Sequence, residues 1–586
     1  MNPRSPEVER RRRLITRMAP LALIAFVAFV VGAIAGATPD SPEKEAAKRF
    51  TIAWENGEYA AMYRELNRGS QRKISVNDFA IAYREAEELA TVRSLEAGTP
   101  GSVSSMAVPE ESSTDTRTIV AVPITLTTAA FGPVEAELEL PFAEDGVAWE
   151  ERLTFPGLDQ NEHLEAQIEL APRAPILAAD KTPLAEGPAE ARAHPIGSEA
   201  IDVTGEVGAA EEEDLEALAK QGFGPETPVG VTGLEQAFNA RLAGKPGGVL
   251  LAASDTDGST RTLAEEEPKP GAPVKTTIDV DLQEAAVSAL AGRFGGIAVL
   301  DARNGDVRAL AGQAFSAPQP PGSTFKMITT VAALQKGVVS LDDEFEITSG
   351  ANVGGRFIEN ANGEYCGGTF REAFAESCNA DFAPLGPKIG NDELVETAER
   401  FGFNSPPTLY ASKYLAQVEP AESTLPTEIG EEVDLGVSAI GQGKILATPL
   451  EMASVAQTIA NGGVRQPTSI VANEKLRPEA EPERVTSKQI ADELTELMVG
   501  VVTGGTGTAG AISEAQVAGK TGTAELGPKP GEEDAEHPQQ RKDAWFAAFA
   551  PAEKPRLAVG VLLVEAEAAG GEVAAPAASE VLSAGL

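Results

Sequence analysis

The sequence predicts a multi-domain α/β chain. A large C-terminal region holds one sheet flanked by helices; a small α+β domain and an extended linker domain precede it. Three observations carry this. Strand-like segments stand both before and after a long helical block in residues 274–586. Residues 41–155 mix helix-period and alternating segments. Between them, 156–273 is rich in Pro, Gly, Ala and Glu. The 586 residues are too many for one core.

In the first domain, Ala46–Arg64 reads as one helix, with Phe50, Trp54, Tyr59 and Met62 as its apolar positions, and Val76–Ala90 as another. Thr118–Leu126 and Val134–Leu140 alternate as strands do. In the linker, Ile168–Leu170 and Val249–Ala252 are strand candidates, and Gly233–Gly244 reads as a helix closed by glycine. Glu211-Glu212-Glu213 and Glu265-Glu266-Glu267 are solvated acid runs. In the last region Asp279–Leu290 carries a helix signal. Gly296–Leu300 and Asp306–Ala311 form a hairpin around Arg303-Asn304-Gly305. Asp543–Ala550 and Arg556–Val564 are late strands.

The first forty residues differ from the rest. Arg10, Arg11, Arg12, Arg13 and Arg17 precede 22 uncharged residues, Met18–Pro39. At about 1.5 Å per residue such a run crosses a bilayer core. The arginines stay on the cytoplasmic side, so the chain after Asp40 is extracytoplasmic. This gives a basic tail at 1–17 and a single-pass anchor at 18–38, and the length of the run favours that over a signal peptide cleaved near Ala35-Gly36-Ala37. The net charge of −41 has the wrong sign for nucleic acid or anionic lipid as main partner. The histidines His163, His194 and His537 are far apart, and no Cys/His cluster has metal-ligand spacing, so a zinc site has little support. Cys366 and Cys378 could pair in an oxidising compartment or remain separate small apolar residues.

Ser-x-x-Lys occurs three times, at Ser41–Lys44, Ser70–Lys73 and Ser323–Lys326. Only the third follows a strong breaker, Pro320-Pro321-Gly322, which puts Ser323 at or near a helix start. There a free backbone N–H can bind an oxyanion. Residues three apart share a helix face, and a buried lysine beside another cation can be neutral enough to take the serine proton. Alone, the pair reads as an N-cap and a surface lysine. Two companions change that. Ser377-Cys378-Asn379 lies 54 residues on, and Lys520-Thr521-Gly522-Thr523 lies 143 beyond it. Ser-x-Asn also recurs, at Ser75–Asn77, whereas the lysine-threonine-glycine motif occurs once, in a strand-like stretch. The three motifs in this order in an exported chain point to serine acyl transfer.

On these motifs, residues from about Thr276 to Leu582 resemble the transpeptidase domain of penicillin-binding proteins. Supporting stretches include GGIAVLDARNGDVRALAG and AIGQGKILATPLEMASVAQTIANGG. The N-terminal half resembles the membrane-anchored class B type, and 41–155 the cone-shaped transport-factor-like domain of methicillin-resistance-type proteins. ARAPILAADKTPLAEG is similar to the family's linker motif, with Ala174, Lys181 and Thr182 departing from it. The resemblance implies a penicillin-recognising serine transpeptidase fold, with an antiparallel sheet flanked by helices, in 274–586, and a linker or dimerisation-type domain in 156–273. Ser323 would be the acyl-accepting nucleophile and Lys326 its base. Ser377 would relay a proton to the leaving amine, and Asn379 would hold the substrate amide and Lys326. Lys520 would attract the terminal carboxylate, which Thr521 and Thr523 would bind. The N–H groups of Ser323 and Thr523 would form the oxyanion hole, and Gly522 would leave room for the substrate.

The implied reaction is D,D-transpeptidation of peptidoglycan stem peptides ending in D-Ala-D-Ala, which needs no metal or organic cofactor, with β-lactams acylating the same serine and a separate glycan polymerase as partner. A D,D-carboxypeptidase, a serine β-lactamase and a non-catalytic wall-synthesis scaffold are the alternatives. No Glu-x-x-Leu-Asn stands between Asn379 and Lys520 to serve a class A lactamase.

Overall fold

The computed structural model describes residues 41–107, 116–143, 146–224, 226–415, 420–528 and 540–586. The basic tail and the apolar run expected at 1–17 and 18–38 lie outside these residues. No helix of the described residues is long and apolar enough to cross a membrane.

Two compact units form. Among the described residues, one contains those up to Leu170 with Leu215–Gly224 and Pro246–Pro268; the other contains those in Ala171–Asp214, Pro225–Lys245 and Lys269–Leu586. The segment read as a single linker, 156–273, is therefore shared between them. The reason is strand pairing. Gly247–Ser254 pairs antiparallel with Glu162–Glu169 on one side and Thr260–Glu266 on the other.

In the first unit, helix Pro42–Glu55 starts on Ser41, whose hydroxyl accepts from the Lys44 N–H at 3.3 Å. It buries Phe50 and Trp54. The single helix expected over Ala46–Arg64 is instead two. Asn56 caps the first, Gly57 takes φ +69°, and Tyr59–Arg64 begins afresh with Met62 buried. Val76–Leu89 is capped by Ser75 and buries Phe79 and Tyr83. The expected strands extend to Thr116–Thr128 and Pro133–Ala143, antiparallel neighbours in a five-stranded sheet.

In the second unit, the stretch expected as one helix, Gly233–Gly244, is two short ones, Gly233–Ala237 and Asn239–Ala243, parted at Phe238. Glu235 is fully buried there. It pairs with the buried guanidiniums of Arg173, at 2.5 Å, and Arg192, at 2.7 Å.

The large sheet of this unit has five strands: β1 (Gly295–Asp301), β2 (Val307–Gly312), β3 (Ala518–Pro528), β4 (Gln540–Ala550) and β5 (Leu557–Leu563). Their order is β2-β1-β5-β4-β3, antiparallel throughout. The hairpin expected at Asn304-Gly305 joins β1 to β2. Helices α1 (Val280–Leu290), capped by Asp279, and α5 (Gly570–Gly585) cover one face, where Ile297, Phe546 and Val561 are buried. On the other face Trp545, Ala547 and Leu562 pack with α2 (Lys326–Lys336), α3 (Pro449–Ala460) and α4 (Lys488–Thr503). Successive residues of β4 thus serve opposite cores, which explains its unbroken apolar run. The helix-flanked antiparallel sheet expected for this region is present. It leaves β3 as an edge strand.

Candidate active site

The site is assembled from three segments of the second unit. The first is the Pro320-Pro321-Gly322 break. The Gly322 N–H donates to the Gly441 carbonyl at 2.9 Å, and the chain enters a 3₁₀ turn over Gly322–Phe325 before α2 begins at Lys326. Ser323 therefore sits in the turn that leads into the helix, half-buried. Its hydroxyl has no hydrogen-bond partner among the described residues, Lys326 included. Behind it Met327, Ile328 and Val331 are fully buried. At about 1.5–3 kcal/mol each, such burial fixes α2 in place and holds Lys326 inside the core.

The second segment is the turn after helix Phe370–Ala375. Ser377 takes φ +62°, a left-handed conformation that costs a non-glycine residue energy. Its neighbours hold it there. The Ser377 and Cys378 N–H groups donate to the carbonyls of Phe374 and Ala373 at 3.2 and 2.9 Å. Cys378 is joined by a disulfide to Cys366 in strand Cys366–Thr369, 5.9 Å away between Cα atoms, which settles a pairing the sequence left open. Asn379 then opens the short helix Asn379–Phe382. Its amide donates to the Glu359 carbonyl at 2.9 Å, which turns Oδ1 toward α2.

The third segment is β3. Lys520 and Gly522 face α2, and Thr521 and Thr523 face the opposite way. The Thr521 hydroxyl bonds to that of Thr506 at 2.6 Å, and the Thr523 hydroxyl accepts from the Gly570 N–H at 3.3 Å. The Thr523 carbonyl lies over the Ser323 turn, within 3.5 Å of Gln442 Nε2. In a strand the N–H of a residue points to the same side as its carbonyl, so the Thr523 N–H also faces the free edge of the sheet.

These segments converge on one hydroxyl. Lys326 Nζ donates to the Ser377 carbonyl at 2.7 Å, to Asn379 Oδ1 at 2.7 Å and to Ser377 Oγ at 3.4 Å. Lys520 Nζ donates to Ser377 Oγ at 2.8 Å and to the Thr521 carbonyl at 3.1 Å. Both lysines are fully buried. Burial holds the Lys326 amine well below the usual lysine range, the Lys520 ammonium adds to this, and the Asp381 carboxylate opposes it. Burial brings Lys520 to about 7, against the pull of Glu376. Buried ammonium groups shed their protons more readily than exposed ones, so this cluster can exchange protons near neutral pH.

The structure brings Ser323, Lys326, Ser377, Asn379 and Lys520 to one place. It also gives Gly522 a reason within the fold. A Cβ there would meet the Pro321 carbonyl at 2.7 Å, Thr324 Cγ2 at 2.9 Å and Trp545 Cβ at 2.9 Å. The protein's own close approach of β3 to the Ser323 turn excludes a side chain here. Sequence reading missed the Asp381 carboxyl and the Thr506 hydroxyl. Asp381 carries a legible signal, an acid two residues after the motif asparagine in an otherwise apolar stretch. Thr506 carries none, because its place beside Thr521 is set by tertiary packing.

Residues 295–583 match the family model of the penicillin binding protein transpeptidase domain, and 170–276 that of the penicillin-binding protein dimerisation domain. Peptidoglycan D,D-transpeptidase PbpA of Mycobacterium tuberculosis is 38% identical over 297 residues, which are 47% of this chain and 57% of that protein. Penicillin-binding protein PbpB of Mycolicibacterium smegmatis is 28% identical over 410 residues, 60% of this chain and 61% of that one. The chain thus spans less than two thirds of the length of these relatives. Among solved structures, the ceftriaxone acyl-enzyme complex of penicillin-binding protein A from M. tuberculosis superimposes with TM-score 0.56 and 28% identity. That match covers 71% of this chain and 98% of the other. PBP2 of Pseudomonas aeruginosa in complex with WCK 5153 gives 0.57 and 25%, with 71% and 96% covered.

Proposed function

We propose that this chain, which belongs to the class B penicillin-binding proteins, is a peptidoglycan D,D-transpeptidase. One observation carries the reading: two buried lysines meet on Ser377 Oγ, and the turn that carries Ser323, whose hydroxyl has no partner among the described residues, packs against the strand of Lys520.

Ser323 Oγ attacks the carbonyl carbon of the penultimate D-Ala, and its proton passes to the neutral Lys326 amine. Charge then develops on the carbonyl oxygen, where the N–H groups of Ser323 and Thr523 receive it. The peptide C–N bond breaks, Ser377 relays a proton to the departing D-Ala nitrogen, and an ester to Ser323 remains. An amine of a second stem peptide attacks the ester, forms the crosslink and returns the serine proton. Lys520 attracts the terminal carboxylate, while the Thr521 and Thr523 hydroxyls, on the other face of β3, bond to Thr506 and the Gly570 N–H. The free edge of β3 takes up the extended peptide as an added strand, and Asn379 holds its amide. A β-lactam acylates Ser323 by the same attack.

The basic tail and the apolar run at 1–38 anchor the chain in the cell membrane by a single pass, with the catalytic domain outside and a separate glycan polymerase as partner. The domain over 41–155 is read as transport-factor-like, that over 156–273 as a linker or dimerisation domain, and 274–586 as the catalytic domain.

The test is intact mass against time for the full chain in detergent with penicillin, beside Ser323→Ala. The expected result is a stable one-to-one adduct that the variant lacks. An adduct that clears within seconds with penicilloate accumulating would move the assignment to a β-lactamase. A D-Ala-D-Ala peptide supplied with an acceptor amine then separates crosslinking from the hydrolysis of a carboxypeptidase.

A further inference from the structure

Helix Asn379–Phe382 carries a second polar side chain, Asp381, between Asn379, whose Oδ1 accepts from Lys326 Nζ at 2.7 Å, and Phe382, whose ring centre lies 5.2 Å from Nζ. Asp381 is 4% exposed, and its Oδ2 has no hydrogen-bond partner among the described residues. Buried carboxylate oxygens are seldom left in this way, and each one is a cost unless a nearby charge offsets it. Here the charge is Lys326. The carboxyl of Asp381 is pushed up to about 6 by its burial and drawn back by that ammonium. Asp381 is also the carboxylate that opposes the loss of the Lys326 proton. The three protons of Lys326 are committed to Ser377 and Asn379, so Asp381 acts on it through space and not through a bond.

We propose that Asp381 is a positioning residue for acylation: its buried carboxylate, with Oδ2 unpartnered among the described residues, sits on the short helix whose Asn379 and Phe382 both lie against Lys326 Nζ, tunes that lysine as a base and so sets the lower pH limit of the reaction. The inference rests on the reading of Ser323 as nucleophile and Lys326 as its base. A base must be free of its proton before attack, yet basic enough to take the serine's. Burial and the Lys520 ammonium both drive Lys326 toward neutrality. Unopposed, they would leave an available but feeble base. The Asp381 carboxylate restores basicity.

The other charges around the cluster are placed differently. Glu376 acts on Lys520. On the elements packed against α2 and the Asn379–Phe382 helix, Arg356, Glu359, Lys388, Asp492 and Glu496 are exposed, and Glu393 pairs with Arg400.

The experiment measures the second-order rate of acylation by penicillin against pH, by intact mass, on the full chain in detergent. In the measured step the Ser323 O–H proton moves to Lys326, Oγ bonds to the β-lactam carbonyl carbon, and the ring C–N bond opens with its nitrogen taking up a proton. Wild type is compared with Asp381→Asn and Asp381→Glu. Removing the negative charge disfavours the ammonium, so the acid limb of Asp381→Asn should move to lower pH by about one unit. Asp381→Glu should keep it near the wild-type position. Limbs that coincide for wild type and Asp381→Asn overturn the proposal, and so does a rate lowered equally at every pH, which is the mark of packing alone. If Asp381→Asn does not fold, Asp381→Ser is judged on the same limb. A wild-type chain that no penicillin acylates at any pH instead overturns the assignment of the site, and this proposal with it.

Discussion

Replacing Gly522 with alanine tests whether the nucleophile's position depends on how closely β3 approaches its turn. The added Cβ would stand 2.7 Å from the Pro321 carbonyl and 2.9 Å from both Thr324 Cγ2 and Trp545 Cβ. None of these can swing aside. Pro321 O is backbone, and it already accepts the Thr324 hydroxyl at 2.7 Å. Trp545 is fully buried in β4. Reaching an ordinary contact near 3.4 Å therefore needs a separation of about 0.7 Å between strand and turn, and overpacking of this kind costs about 1–3 kcal/mol. The displaced atoms flank Ser323, and a misplacement of about 1 Å lowers a positioned reaction by about 100-fold. Gly522→Ala should unfold a few degrees earlier by calorimetry. Its penicillin acylation should slow by about 10- to 100-fold, with the adduct still on Ser323. An unchanged midpoint with an acylation rate within twofold of wild type would refute the reasoning. A loss confined to catalysis, with stability intact, would place the crowding on the substrate side.

Two further predictions concern buried charge. Glu235→Ala leaves the buried guanidiniums of Arg173 and Arg192 without their shared partner, which costs about 3–5 kcal/mol; the midpoint of calorimetric unfolding should fall by several degrees, and an unchanged midpoint would show the network idle. Lys520 titrates at about 7 when folded and near 10.5 when unfolded, so the ammonium is present below about 7 and lost above it. The KM for a D-Ala-D-Ala peptide should therefore rise as pH passes 7, and a flat KM up to pH 9 would contradict the carboxylate role. The same shift has a sign in stability. The folded chain holds this proton less tightly than the unfolded one, so the group's contribution improves with pH from about 7 to about 10.5.

Local signals located the elements whose pattern is set by neighbours in sequence. Asp279 announced α1 because an N-cap acts within three residues, and Asn304-Gly305 announced the β1–β2 hairpin because a tight turn is a four-residue affair. The failures have the opposite character. Ala46–Arg64 kept an apolar period across Asn56-Gly57, and the period alone could not show that the left-handed glycine turns the chain. Within 156–273, nothing local in Glu162–Glu169 shows that its partner is Gly247–Ser254, far along the chain.

The site was legible for a different reason. Of the three Ser-x-x-Lys pairs, composition cannot tell which reacts. The structure gives the physical difference. The Ser41 hydroxyl is committed to the Lys44 N–H as a helix cap, and the Ser70 hydroxyl accepts from the Trp149 N–H at 2.9 Å. Ser75, in the spare Ser-x-Asn, caps a helix through the Asp78 N–H. Each hydroxyl that serves the fold is occupied by the fold. Ser323 has no such duty, because Gly441 receives the turn's N–H and Thr324 ties the turn to Pro321. What remains is a hydroxyl free to react, next to a lysine that burial and Lys520 incline to give up its proton. The three motifs could be read in the sequence because each supplies a residue type that only this chemistry uses together. Asp381 left a mark in the sequence, a lone acid in an apolar stretch, but its burial is created only by the packed helices.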